Sequence, residues 1–376
     1  MISSIQIKNF KPHKDTKLIL GNITFLCGQN GVGKSSIIQT LLLLRQSFQK
    51  NRLDKGLSLN KPLCYIGEGK DAIYQFADSD KICFEININD TLIEWIFDTK
   101  RQLASDFINI VNQNYKVRDF LSKQSLDISL FNKDFQYISA GRLADYESDD
   151  YAVDNEKQLS IEEGKAELTA HFLYKYQKEQ VSENLLHPDT VDGNADLLYQ
   201  TILWEREISK GVNIHPLKVG TSYQIRYSFD TDASPSGKTN EFTAKNVGFG
   251  LSYALPIIVA ALSAKKDALI LIENPEAHLH GYGQAKLTEL MCLVAQTGVQ
   301  IVVETHADNV INGALVATKL GKITKENIKI WSFEREQEQH YAQATEVEVL
   351  ENGRIVYPPE TFFDQIAKDR KILMGF

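Results

Sequence analysis

Cysteine is scarce. The 376 residues hold four (Cys27, Cys64, Cys83, Cys292), with no CxxC or other metal-ligand spacing. A secreted disulfide scaffold is thereby excluded, and a reducing interior suits the chain. Long apolar runs are missing too: the longest nearly apolar one, Tyr253 to Ala264, has 12 residues, against roughly 20 needed to span a bilayer. The opening MISSIQIKNF alternates apolar and polar residues and lacks a signal-peptide core. There is no excess of basic charge either. With 41 Lys and Arg against 49 Asp and Glu the net charge is −8, so the surface as a whole is not a nucleic-acid footprint, and contact with DNA requires a local patch. Neither heptads nor internal repeats are present, which excludes long coiled-coil arms. A cytoplasmic protein without membrane partners is expected.

What is present is a globular balance, 43% hydrophobic and 24% charged. At this length two or three lobes are expected, or one large α/β unit. Short apolar runs separated by turns (Ile2–Ile7, Leu18–Leu26) predict strands, and Lys34 to Phe48 predicts a helix with a buried Leu41–Leu44 run. Strand patterns return at Lys81–Ile88 and Leu92–Phe97. Helical patterns then mark Glu163–Lys178 and Leu197–Lys210, and the acidic stretch from Asp145 to Glu163 reads as a solvated loop. From Gly248 the order becomes helix, strand, helix, strand (Leu251–Ala264, Ala268–Ile272, Gln284–Gln296, Gln300–Val303), the alternation of a parallel doubly wound sheet. A hairpin at Glu351-Asn352-Gly353 and a helix from Phe362 to Leu373 are predicted at the end. The divisions expected are 1–98, a mainly helical insert over 99–215, 216–345, and 346–376.

Gly28-Gln-Asn30-Gly31-Val-Gly33-Lys34-Ser35 matches G-x-x-x-x-G-K-[ST] in full. It follows the strand Ile23–Cys27 and opens a helix, the setting this motif needs. The glycines let backbone N–H groups converge on phosphate oxygens, and the helix start adds partial positive charge. Lys34 is then placed for the β- and γ-phosphates and the Ser35 hydroxyl for Mg²⁺, with Ser36 next in the helix.

Such a loop needs an acidic group at the end of a neighbouring strand. Ala268–Ile272 is followed by Glu273-Asn274-Pro275-Glu276, which makes Glu273 the candidate Mg²⁺ ligand. A further strand, Gln300-Ile-Val-Val-Glu304-Thr305-His306, brings His306 to the same edge, a candidate γ-phosphate contact. Between them Asn246-Val-Gly248-Phe-Gly250-Leu-Ser252 opens a helix. Gly250 and Ser252 there can offer an N–H and a hydroxyl to phosphate, or simply form a glycine-rich cap.

This order of motifs resembles an ABC-type ATPase head: a P-loop NTPase of α/β class with a mixed or parallel sheet and a helical insert. Its details are similar to the OLD/RecF/SMC-like branch, most of all to bacterial AAA-type ATPases ending in a domain of unknown function. The shared stretches are IKNFKPHKD, CGQNGVGKSSIIQTLLLLRQ, YISAGRL (Tyr137–Leu143), NVGFGLSYALPII, LIENPEAHLH, VVETHADNVING and GRIVYPPETFF. Relatives of that kind include the ATPase partners in the anti-phage systems Septu, PARIS and Gabija. The resemblance implies an ATP sandwich between two heads, with Gly250 and Ser252 of one protomer facing the γ-phosphate held by Lys34 of the other. It places His278 and His280 in the loop that crosses the dimer, Phe10 and Lys11 near the base, and Gln75 at the Q-loop. Arg142 is expected at a phosphate, a partner or a surface ion pair. A metal site from Glu276, His278 and His280 is the competing arrangement, and it needs an extended segment.

Two departures bear on chemistry. The usual Asp-Glu pair is Glu273-Asn274 here, which leaves Glu276 as the nearest spare carboxylate, and the signature lacks the full Leu-Ser-Gly-Gly-Gln order. Binding is expected to survive both, and the speed of hydrolysis is where they tell. After His306 there is no D-x-D, so a Toprim nuclease domain is not expected. A GTPase is disfavoured because no N/T-K-x-D occurs. The expectation is a Mg²⁺-dependent ATPase homodimer controlling a separately encoded nuclease or toxin in phage defence. The rivals are a RecF-like repair ATPase and a nucleotide-gated scaffold with little hydrolysis.

Overall fold

The computed structural model describes residues 1–111, 117, 120–122, 127–142, 149–356, 358–359, 362, 369 and 371–374. Its first strands are β1 (Ile2–Phe10), β2 (His13–Ile19) and β3 (Ile23–Gly28), followed by helix α1 (Lys34–Gln49). After β4 (Gly56–Ser58) and the short α2 (Gly69–Ala72) come β5 (Lys81–Ile88), β6 (Thr91–Asp98) and β7 (Phe107–Ile110). These pair as an antiparallel sheet in the order β2-β1-β5-β6-β7-β4. Strand β3 is not part of that sheet and belongs to another.

The second sheet gathers β3 with β8 (Phe135–Ile138), β12 (Leu269–Glu273), β13 (Gln300–Thr305), β14 (Ile328–Arg335) and β15 (Ala342–Glu346). Its order is β15-β14-β3-β13-β12-β8, parallel throughout except for β15 at the edge. Because side chains alternate along a strand, each strand feeds two cores. Leu26, Leu271 and Val302 point to the side where Leu41–Leu44 of α1 pack, together with Ile5, Phe84 and Trp95 of the antiparallel sheet. Phe25, Ile270, Ile301 and Val303 point to the other side. There they meet α4 (Thr169–Tyr176), α5 (Leu197–Arg206), α6 (Phe249–Ser263), α7 (Gly281–Gln296) and α8 (Asp308–Lys319). Helix α1 is thus sandwiched between two sheets, which explains why nearly its whole circumference is apolar or buried.

A three-stranded sheet of β9 (Val212–Val219), β10 (Ser222–Phe229) and β11 (Phe242–Thr243) leads into α6. The hairpin expected near Asn352 forms between β16 (Glu348–Val349) and β17 (Ile355–Val356). Most of the helix expected from Phe362 lies outside the described residues. The helical segment expected from Glu163 begins only at Thr169, since Glu163, Gly164 and Ala166 have φ of 52°, 66° and 59°, left-handed values that no right-handed helix includes. In the acidic stretch, 145–148 lie outside the described residues. The remainder forms α3 (Asp150–Asp154) and buries Val153 and Leu159, so it is not wholly solvated. Within 99–215 the structure places β7 and β8 as well as helices, and β8 is an edge of the main sheet. Among the described residues no helix is long and apolar enough to cross a membrane.

Candidate functional site

The loop between β3 and α1 runs through three glycines with positive φ: Gly28 at 134°, Gly31 at 76° and Gly33 at 107°. Gly28 has a second constraint, since a Cβ there would sit 2.3 Å from the Phe333 carbonyl oxygen on neighbouring β14. Gln29, Asn30 and Gly31 form the exposed rim of the loop. Lys34 is buried, and its Nζ folds back to donate to Gly28 O at 2.9 Å and Gln29 O at 2.6 Å. Burial lowers its pKa from the ordinary lysine value, against the raising pull of Glu304. Ser36 is also buried and so does not line the rim.

The carboxylates follow from sheet parity. Glu273 continues the row Leu269, Leu271, and Glu304 continues Val302, so both project toward the α1 side. They are register partners at the carboxyl ends of β12 and β13. Ser35 Oγ donates to Glu304 Oε1 at 2.7 Å. Glu273 faces the other way along the edge, accepting from Tyr137 Oη at 3.0 Å and Ala140 N at 3.3 Å. Burial, then the charge of Glu273, pushes the Glu304 carboxyl up to about 7. Burial also raises Glu273. Glu276 accepts from Thr305 Oγ1 at 2.8 Å and His306 N at 2.9 Å, which ties the loop after β12 to the end of β13. The His306 Nδ1 lies 3.0 Å from Gly28 O. A ring nitrogen beside a carbonyl must carry the hydrogen, so Nε2 is left as the acceptor. It lies 4.0 Å from Glu304 Oε1.

Asn274 has φ 46°, a left-handed conformation that Asn tolerates better than most residues. Its amide reaches toward Glu276 at 3.5 Å. The proposed Glu276, His278 and His280 cluster does not assemble. His278 packs against the rings of Phe249 and Tyr253 at 5.6 and 4.5 Å, while His280 caps α7 by accepting from Tyr282 N. No group of three or more His, Cys, Asp or Glu side chains able to hold a metal occurs among the described residues.

At the start of α6, Gly250 packs so closely that a Cβ would lie 2.8 Å from His278 O. Ser252 is 2% exposed, with a hydroxyl that finds no hydrogen-bond partner. In this conformation its side chain faces the interior. The outward positions are Gly248, whose Cβ position is open, and Phe249, 60% exposed. Arg142 is neither at the surface nor in an ion pair. Its guanidinium, fully buried, donates to Ser139 O, Tyr253 O, Glu273 O and Asn274 O at 2.8–2.9 Å. Burial lowers its pKa to about 10, so it stays charged at neutral pH. Phe10 is core, edge-on to Phe84, Lys11 bonds Gln39, and Gln75 sits in an exposed turn.

The family profile described as "AAA ATPase domain" matches residues 1–219, more than half the chain. The chain belongs to the AAA ATPase domain family. A second profile, "AAA domain, putative AbiEii toxin, Type IV TA system", matches residues 183–312 of this AAA ATPase domain protein. No curated protein matches the sequence. Three solved SMC heads share its fold. The SmcHead bound to the C-winged helix domain of ScpA is 13% identical, with 92% of this chain and 97% of that one covered and a TM-score of 0.54. The SMC head domain from Thermotoga maritima is 12% identical over 93% and 99%, with a TM-score of 0.50. The Smc head with an extended coiled coil bound to the C-terminal domain of ScpA, derived from Pyrococcus furiosus, is 13% identical over 100% and 98%, at 0.52. At such identities the likeness is one of fold. An α/β P-loop ATPase fold of SMC or ABC-head type is therefore established for this AAA ATPase.

Sequence reasoning passed over Glu304, Tyr137 and the true setting of Arg142. A carboxylate inside a strand otherwise reading Gln-Ile-Val-Val is the signal that marks Glu304, because burying it needs a reason. The oxygen set at the loop suits Mg²⁺, which takes one or two carboxylates and leaves its other positions to water and phosphate. The Glu304 Oε2 atom, buried without a hydrogen-bond partner, is the structural sign of that fit.

Proposed function

We propose that this AAA ATPase hydrolyses ATP with Mg²⁺ and dimerises through bound ATP. The observation that carries the reading is the Ser35–Glu304 contact beneath a complete P-loop, at the carboxyl edge of a parallel sheet. Lys34 releases its two loop carbonyls to take the β- and γ-phosphates, and the glycine loop N–H groups cradle them. Ser35 Oγ and a neighbouring strand-end carboxylate would hold the cation, which when bound would offset the charge of the phosphates. His306 Nε2 contacts the γ-phosphate side. Glu276 accepts the proton from attacking water, and Asn274 orients that water. Gly248 and Phe249, open at the start of α6, meet the partner's nucleotide site.

The cycle controls a separately encoded effector, a nuclease or toxin, in anti-phage defence. The profile match over residues 183–312, with its toxin–antitoxin description, supports that context. A nucleotide-gated scaffold that barely turns over is the second reading, favoured by Asn274 in place of the usual carboxylate. A turnover assay separates the two. Lys34→Ala abolishes hydrolysis and weakens nucleotide binding, because a point charge on the phosphates is lost. Binding and turnover equal to wild type in that variant would remove the site assignment.

A further inference from the structure

The carboxylate that meets the Ser35 hydroxyl is not the one that ends β12. Strand β13 lies between β3 and β12, so its side chains are one strand closer to the start of α1. Glu273 has both oxygens engaged, by Tyr137 Oη and Ala140 N. Glu276 has both engaged by Thr305 and His306. Glu304 differs: Oε1 accepts from Ser35 at 2.7 Å, while Oε2 is buried and bonded to nothing, in a residue 5% exposed. Glutamine could take the same hydroxyl bond without burying a carboxylate. An orphaned carboxylate oxygen beside a P-loop hydroxyl is costly unless a cation answers it.

We propose that Glu304, rather than Glu273, is the protein carboxylate that holds the divalent cation together with Ser35 Oγ. Glu273 is then a positioning residue, holding the loop after β8 against the end of β12. This rests on the ATP-site reading above and changes which strand supplies the acid.

The test is cation-dependent nucleotide binding, measured on the full chain with a fluorescent ATP analogue in EDTA and then over a Mg²⁺ series. Mn²⁺ binding is followed by electron paramagnetic resonance. Glu304→Gln should bind nucleotide in EDTA as wild type does, yet need at least about 10-fold more Mg²⁺ for the cation-enhanced affinity, with a matching loss of bound Mn²⁺. Glu273→Gln should keep the wild-type Mg²⁺ requirement. A Glu304→Gln protein with wild-type Mg²⁺ and Mn²⁺ titrations overturns the assignment, as does loss of cation binding in Glu273→Gln alone. Should Glu304→Gln not fold, Glu304→Asp serves: its shortened carboxylate must raise the Mg²⁺ requirement, and an unchanged one refutes the role. If wild type binds no nucleotide with or without Mg²⁺, the ATP reading itself falls. If wild type shows Mg²⁺-dependent binding and Glu304→Gln is indifferent, only the Glu304 assignment falls.

Discussion

Glu276→Gln separates a base from a brace. In the wild-type chain Glu276 Oε1 accepts from His306 N at 2.9 Å, and Oε2 accepts from Thr305 Oγ1 at 2.8 Å. Glutamine keeps the first bond through its carbonyl. Its amide N–H can donate to Thr305 Oγ1, a hydroxyl able to accept as well as donate, although it already takes Ala307 N at 3.1 Å. The loop therefore stays tied to β13, at a cost of about 1 kcal/mol for exchanging charge-assisted bonds for neutral ones. Proton acceptance is lost outright. If Glu276 takes the proton from water, turnover falls about 10²–10⁴-fold, or about 2.7–5.5 kcal/mol in barrier. Nucleotide affinity persists, and the ATP-bound dimer accumulates. Glu276→Ala removes both functions and serves as the control. Single-turnover hydrolysis with saturating ATP and Mg²⁺ reads the chemical step directly. A Glu276→Gln protein hydrolysing at the wild-type rate beside a slow Glu276→Ala would refute the base and leave Glu276 as the clamp on His306.

Gly248→Arg should leave the monomer folded, since nothing lies within 4 Å of the added Cβ and φ there is an ordinary −60°. It should lower the ATP-dependent dimer fraction in sedimentation, and an unchanged fraction would remove this helix start from the interface. Glu205 is completely buried, with neither carboxylate oxygen bonded, and burial raises its pKa well above the glutamate value. A raised acid disfavours folding wherever the unfolded chain has released the proton, so stability declines as pH rises above about 4.3. Glu205→Gln should therefore melt above wild type at pH 8, with the gap closing as pH falls toward that value. A gap independent of pH would show that the carboxylate is not the cause.

The P-loop was legible because its meaning is local: eight consecutive residues dictate a backbone path, and the glycines' positive φ values follow from it. The parallel sheet was legible from the helix–strand alternation after Gly248. Strand order was not. Nothing near Phe135 announces that β8 pairs with β12 far along the chain, and nothing near Glu304 says that β13 inserts beside β3. Those facts are set by long-range pairing, and they decide which carboxylate meets Ser35. Ser252 shows the opposite trap. Its place in a recognisable motif leaves a phosphate-facing hydroxyl and a plain glycine-rich cap both open, and the helix turns the side chain into the core. For Arg142 the sequence offers a phosphate, a partner or a surface ion pair but not this buried setting, because no sequence pattern encodes four carbonyls converging from three segments.

Those four carbonyls have a mechanical consequence. Ser139 belongs to the loop after β8, Glu273 and Asn274 to the end of β12, and Tyr253 to the first turns of α6. One planar guanidinium, charged at neutral pH, pins all three, and Gly250 leaves no room for a side chain between α6 and His278 O in the loop after β12. Flexing at any one of these segments would strand buried N–H donors, so the cheaper movement carries them together. A push on the exposed Phe249 end of α6 should therefore reach the strand end bearing Glu273 through the Arg142 contacts. The head behaves there like a bell crank, with Arg142 as its pin.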